Sequence, residues 1–218
     1  MRRSLCILLC VAGLSILSCA TVKPIDRYER RIILDGGPQE VMVIVEDDTP
    51  AGNEFLREKA LDLDPADTLI DHLAARMLET VRKAPGVGIA APQVGISRRA
   101  AWVMRKDKEN EPFEFYINPH IVEFSPEKAS GWEGCLSVPA GFGKVERSQW
   151  VVVAHDRKGG GRVTERIEGF TAVIFQHELD HLDGVLFIDR KESGDLMPKE
   201  AYYEMRRKEK EAAGAGGK

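Results

Sequence analysis

Apolar residues recur at helical spacing in three stretches of the chain. Leu69, Ile70, Leu73, Met77 and Val81 predict a helix over residues 67–82, with Pro65 and Asp67 as starting signals and Pro85 and Gly86 as the stop. Phe170, Val173, Ile174, His177 and His181 share one stripe of a second helix, placed at residues 171–181 and ended by Gly184. A third helix is expected over residues 199–213, running into a glycine-rich end. Short runs rich in β-branched and aromatic residues predict strands at 41–45, 100–104, 113–117, 120–124, 150–154 and 162–167. Asn118-Pro119 and Gly159-Gly160-Gly161 read as turns between them. Strands in series with separated helices predict an α+β fold rather than a doubly wound sheet.

The first 18 residues follow a different pattern. Arg2 and Arg3 precede an apolar run at residues 5–17, and Cys19 follows. As a helix this run would reach roughly 20 Å, short of the roughly 30 Å of a bilayer core, so it reads as an export signal rather than a span. Ile16-Leu17-Ser18-Cys19 resembles a bacterial lipobox, which implies cleavage before a lipidated Cys19. The expected location is therefore the cell envelope, lipid-anchored in the periplasm or outer membrane, or the cytoplasm if the signal is not used. Residues 19–40 are expected to be a tether.

Loss of residues 1–18 removes two of the 31 basic residues and none of the 35 acidic ones, leaving a net charge of −6. That balance argues against a nucleic-acid partner. Of four cysteines, Cys6 and Cys10 lie in the signal and Cys19 would carry lipid, so Cys135 has no partner for a disulfide. A metal ion is one occupant for a lone thiol in an oxidising compartment.

The stretch FQHELDHLDG sets His177 and His181 one helical turn apart, on one face, with Glu178 beside them. Two imidazoles at this spacing can reach one ion, and a neighbouring carboxylate can act on a water molecule there. A catalytic site of this kind needs a third protein ligand. No histidine follows His181, and Glu192, Glu200 and Glu204 sit in polar surroundings. Cys135, in the compact turn setting WEGCLSVP, is the better candidate.

Three motifs in order, GVGIAAPQ from Gly86 to Gln93, EGCLS from Glu133 to Ser137, and QHELDH from Gln176 to His181, resemble the peptide deformylase family. The resemblance covers about residues 41–190 and implies antiparallel sheets packed around a central helix that carries HELDH. It implies a catalytic domain at 41–193, followed at 194–218 by a C-terminal helix and flexible tail. Cys135, His177 and His181 would hold one divalent metal, iron(II) first, with zinc, nickel or cobalt as alternatives. Glu178 would act as general base, and the Gln93 side-chain amide and Leu136 backbone N–H would stabilise the oxyanion of an N-formyl-methionyl peptide. Val87, Gly88, Phe170, Val173 and Ile174 are the candidates to contact substrate. Arg147, Glu133 and Asp180 are candidates for a supporting ion pair. The chain is expected to be a monomer. A metalloendopeptidase of the HExxH type, or a non-catalytic envelope lipoprotein that binds metal or formyl peptides, are the competing readings.

Overall fold

The computed structural model describes residues 22–84 and 86–215, so the expected signal segment, Cys19 and Pro85 lie outside the described residues. In chain order the elements are α1 (Arg27–Leu34), α2 (Pro50–Leu56), α3 (Ile70–Lys83), β1 (Gly88–Ala90), a 3-10 turn (Ala91–Val94), β2 (Ala100–Met104) and β3 (Phe113–Phe124). There follow β4 (Lys128–Cys135), β5 (Val138–Ser148), β6 (Trp150–Asp156), β7 (Arg162–Glu168), α4 (Gly169–Leu182), α5 (Phe187–Arg190) and α6 (Lys199–Ala215). Five strands form an antiparallel sheet in the order β1-β2-β3-β6-β7, and β4 and β5 pair as a separate hairpin. The α+β architecture is as expected.

Helix α4 is the central element. Ala172, Ile174, Phe175, Leu179 and Leu182 are buried against Ala101, Val103, Tyr116, Val151 and Val153 of the large sheet. A helix enclosed on most of its circumference must satisfy its polar side chains internally. Gln176 does so with two hydrogen bonds to the Ser148 backbone, accepting from N–H at 3.0 Å and donating to C=O at 2.8 Å. This clamp fixes α4 to β5. The apolar stripe of α3, Ile70, Leu73, Met77 and Val81, packs with Ile89, Val94 and Ile96 on the other side of the same sheet region.

The structure departs from the sequence expectations in four places. Residues 26–34, expected within a tether, form a capped helix: Asp26 accepts from the Tyr28 and Glu29 N–H groups, Ile33 is fully buried, and Glu29 pairs with Arg98 at 2.6 Å inside the protein. Its charge-rich sequence looked solvated because the partner of its one buried acid lies 69 residues away. Residues 41–45 form no strand, and Val43 is 85% exposed. The expected strands 113–117 and 120–124 are one strand, β3, in which Asn118, with φ +49°, forms an irregularity rather than a turn. Finally, the hairpin β4–β5, the short strand β1 and the helices α2 and α5 were not anticipated. Residues 128–148 hold four glycines and a proline, which read as loop, yet they pair from Lys128 opposite Ser148 to Cys135 opposite Val138. Among the described residues no helix is long and apolar enough to cross a membrane.

Candidate metal centre

Cys135 ends β4, and Leu136 and Ser137 make the two-residue turn into β5. His177 and His181 project from α4. Clamping α4 to β5 brings the sulfur and the two rings together, although they are 42 and 46 residues apart in sequence. Ligand atoms from Cys135, His177 and His181 all lie within 4.8 Å of one another, and Sγ of Cys135 is 3.2 Å from Nε2 of His181. The three expected ligands are thus assembled. His72, His120 and His155 are elsewhere, with His72 hydrogen-bonded to the Gly36 carbonyl and His155 edge-on to Tyr116.

The orientation of His177 follows from its neighbour. Nδ1 lies 2.8 Å from Oε2 of Glu133 and donates to it, which turns Nε2 toward the shared site. Glu133 is in turn gripped by Arg147 through two bonds of 2.7 and 2.9 Å, and Arg147 reaches Asp180 at 2.5 Å. Asp180 also takes a forked pair from Arg190. The ion pair considered from sequence is therefore a buried network that holds a ligand. Burial pushes the Glu133 carboxyl up, but the hydrogen bonds from Arg147 and His177 outweigh it and hold the group down at about 2.

The electrostatics of the cluster suit a cation. Burial drives His181 well below the ordinary histidine value, and the charge of His177 adds to that, so the His181 ring is neutral. Burial also pulls His177 down, yet Cys135 and Glu133 together raise it well above its ordinary value. Two buried polar atoms of the centre, Oε2 of Glu178 and Nδ1 of His181, have no hydrogen-bond partner. A sulfur, two imidazole nitrogens and an unpartnered carboxylate oxygen form a donor set that fits a divalent ion and a water molecule.

Glu178 titrates near 7: burial raises it, the charge on His177 opposes, and Glu133 raises it further. Gly88 of β1 faces it. A Cβ at Gly88 would collide with the Glu178 carboxylate, so glycine here makes room for the acid.

Gln93 sits in the 3-10 turn with 2% of its surface exposed. Its Oε1 accepts from the Ala90 N–H at 2.8 Å, which fixes the amide so that Nε2 points toward Cys135 Sγ and Ser137 Oγ, each 3.4 Å away. A cavity of about 590 Å³ opens over the cluster. It is within the range of roughly 300–1,000 Å³ common for ligand sites. Gln93, Leu136, Val87, Gly88, Phe170, Val173 and Ile174, all expected near substrate, line it. Phe170 is 56% exposed and forms its outer edge. Sequence reasoning missed other lining groups: Ile44 and Glu46 from the segment before α2, and Trp132, Phe142, Tyr202 and Tyr203. Two adjacent tyrosines at the start of a charge-rich helix were the only available hint of the last two.

The sequence model of the family described as "Polypeptide deformylase" matches residues 44–196. The peptide deformylase of Desulforudis audaxviator is 44% identical over 136 residues, 62% of this chain and 86% of that protein. That of Thermotoga neapolitana is 47% identical over 139 residues, 64% of this chain and 82% of the relative. The crystal structure of the Thermotoga maritima peptide deformylase superposes with a TM-score of 0.63 at 38% identity, covering 71% of this chain and 99% of the other. An actinonin-bound class I type b peptide deformylase from Acinetobacter baumannii gives 0.62 at 36% identity, covering 70% and 99%. The Met-Ala-Ser-bound form of that enzyme gives 0.63 at the same identity and coverage. With its ligand cluster, its buried acid and a family match across well over half its length, this chain belongs to the polypeptide deformylase family.

Proposed function

We infer that this chain hydrolyses the N-formyl group of formyl-methionyl peptides, releasing formate and a free amino terminus. The observation that carries the reading is the convergence of Cys135, His177 and His181 beneath one cavity, with the unpartnered carboxylate oxygen of Glu178 beside them. Sγ of Cys135 and Nε2 of each histidine would hold a divalent ion. When bound, such an ion supplies Lewis acidity, lowering the pKa of water toward neutrality and polarising the formyl oxygen.

The residues of the chain do the rest. Glu178, a carboxyl that burial pushes above its ordinary value, can accept a proton from the attacking water and return it to the amine nitrogen as the C–N bond breaks. Its burial keeps that proton from exchanging freely with solvent. Nε2–H of Gln93, held by the Ala90 anchor, and the backbone N–H of Leu136 are the proposed donors to the formyl oxygen as negative charge grows on it. Phe170, Val173, Ile174 and Val87 supply apolar surface for the methionine side chain.

Iron(II) is the proposed native ion, since one thiolate and two imidazoles form a donor set of intermediate softness. The same set accepts zinc, nickel or cobalt. We also propose that the mature chain starts at a lipidated Cys19 and works as a monomer in the cell envelope, on formylated peptides outside the cytoplasm. The apolar run at residues 5–17 and the Leu17-Ser18-Cys19 ending support this. Mass spectrometry of the protein from its membrane fraction would detect a diacylglyceryl-modified Cys19; an intact Met1 in the soluble fraction would overturn the location.

The activity is tested by assaying the metal-loaded protein on formyl-Met-Ala-Ser beside Glu178→Ala and Cys135→Ser. Loss of turnover is expected in both, with metal retained in Glu178→Ala and lost in Cys135→Ser. Equal turnover in wild type and Glu178→Ala would refute the mechanism. Cleavage of unformylated protein instead of the formyl peptide would favour the endopeptidase reading.

A further inference from the structure

Tyr202 and Tyr203 belong to α6, beyond residue 196 where the family match ends, yet both line the cavity over the metal centre. A backbone clasp carries the chain there. The Phe142 N–H donates to the Met197 carbonyl at 2.9 Å, and the Met197 N–H to the Phe142 carbonyl at 2.7 Å. Gly141, with φ +148°, permits this approach, because a Cβ there would strike the Met197 carbonyl. Tyr202 then stacks on Phe142, with ring centroids 3.8 Å apart and 11° between planes. Trp132 meets Tyr202 edge-on at 5.9 Å, and Tyr203 meets Phe142 edge-on at 5.8 Å. Phe142 itself rests on Gly134, where any Cβ would run into the ring, and Gly134 precedes the sulfur ligand Cys135.

An aromatic wall thus starts one residue from the metal ligand and continues onto a helix that the family match does not include. It is not the surface offered to methionine, which comes from α4 and Val87. Tyr203 keeps 59% of its surface exposed, an apolar ring face left available to a ligand. Given the deformylase reading above, on which this rests, a bound peptide would have one apolar wall for methionine and a second for the side chains beyond it.

We propose that the wall formed by Trp132, Phe142, Tyr202 and Tyr203 is a specificity subsite that takes an aromatic or large apolar side chain from one of the two residues after formyl-methionine. The test compares formyl-Met-Ala-Ser, formyl-Met-Phe-Ser and formyl-Met-Ala-Phe as substrates of the full, metal-loaded chain and of Tyr202→Ala and Tyr203→Ala. In wild type, at least one phenylalanine peptide should show kcat/KM about three- to tenfold above formyl-Met-Ala-Ser, expressed in KM. That ratio should fall to about one in the alanine variants. Calorimetric titration with Met-Phe-Ser, Met-Ala-Phe and Met-Ala-Ser should show the same preference without turnover. A purely structural role for α6 would lower kcat on all three peptides and leave their ratio unchanged, which would overturn the subsite. Equal use of the three peptides by wild type would overturn it as well, with the deformylase reading intact. Turnover of none would overturn that reading and the subsite with it.

Discussion

Replacing Glu133 by glutamine should weaken both the fold and the metal centre, and the structure gives the size of each effect. The carboxylate accepts from His177 Nδ1 on one side and from Arg147 on the other, and Arg147 is only 4% exposed along its side chain. A neutral amide has one acceptor oxygen, so it can serve one of these donors and must turn an N–H toward the other. The carboxyl sits at about 2 against an ordinary 4.5. At about 1.4 kcal/mol per unit, that difference corresponds to about 3 kcal/mol of stability at neutral pH. Breaking a buried ion pair by removing one partner costs about 3–5 kcal/mol, so the two routes agree. Loss of a carboxylate that orients a ligand histidine costs about 10- to 100-fold in metal affinity.

The sign of the pH dependence is fixed. A carboxyl held low in the folded state contributes fully above its unfolded value and loses that contribution as pH falls from 4.5 toward 2. Urea unfolding of the metal-free proteins should therefore separate wild type from Glu133→Gln by about 3 kcal/mol at pH 7, and by roughly half as much at pH 3. Zinc competition against a chromogenic chelator reads the affinity. A gap under about 1 kcal/mol at pH 7, or one that does not shrink in acid, would show that Glu133 is not the anchor described.

Three further outcomes rest on single contacts. Gly88→Ala places a methyl group against the Glu178 carboxylate; with circular dichroism unchanged, kcat should fall about 100-fold, and a loss under fivefold would show that the acid has room to move. Ile33→Ala should cost about 2–5 kcal/mol in urea unfolding if α1 is part of the core, whereas a tether residue would cost under about 0.5 kcal/mol. Asp107 is held at about 2, chiefly by its hydrogen bond from Arg105, so its contribution is complete above pH 3.8 and disappears toward pH 2. Thermal melts of Asp107→Asn should lose part of the acid-sensitive limb between those values, and an unaltered limb would refute it.

What the sequence disclosed depended on the range of the interactions involved. The helices α3 and α4 and most strands of the large sheet were legible because their apolar periodicity is a local property of about ten residues. The hairpin β4–β5 was not, since its pairing is written in cross-strand partners up to 20 residues apart while its glycines say loop. Those glycines have reasons visible only in three dimensions, such as the Phe142 ring lying on Gly134. Helix α1 was hidden for a related cause: its burial depends on Arg98 and Arg76, which reach it from distant segments. The residues of the Cys/His/His cluster could be singled out early, His177 and His181 because HELDH has a local period, and Cys135 because it stands in the compact EGCLS turn. Glu133 stood two residues from Cys135, but its bond to His177 spans 44 residues and could only be one possibility among several.

The same contrast explains where the site lies in the fold. Among the described residues, three buried side-chain atoms lack a hydrogen-bond partner: Arg99 Nε, Glu178 Oε2 and His181 Nδ1. Two of the three belong to the metal centre. Leaving a polar group buried and unpaired costs about 1–3 kcal/mol, and a chain selected only for stability would have removed it. Here the surrounding groups do the opposite. Gly88 gives up a side chain to admit Glu178, the Ala90 N–H pins Gln93 so that its donor faces inward, and Arg147 locks the carboxylate that orients His177. Each of these arrangements raises the cost of refilling the cavity with apolar side chains and lowers that of placing an ion and a water molecule there. The last two turns of α4 carry both demands for this reason: Leu179 and Leu182 stay packed in the core, while His177, Glu178 and His181 turn polar atoms toward the cluster.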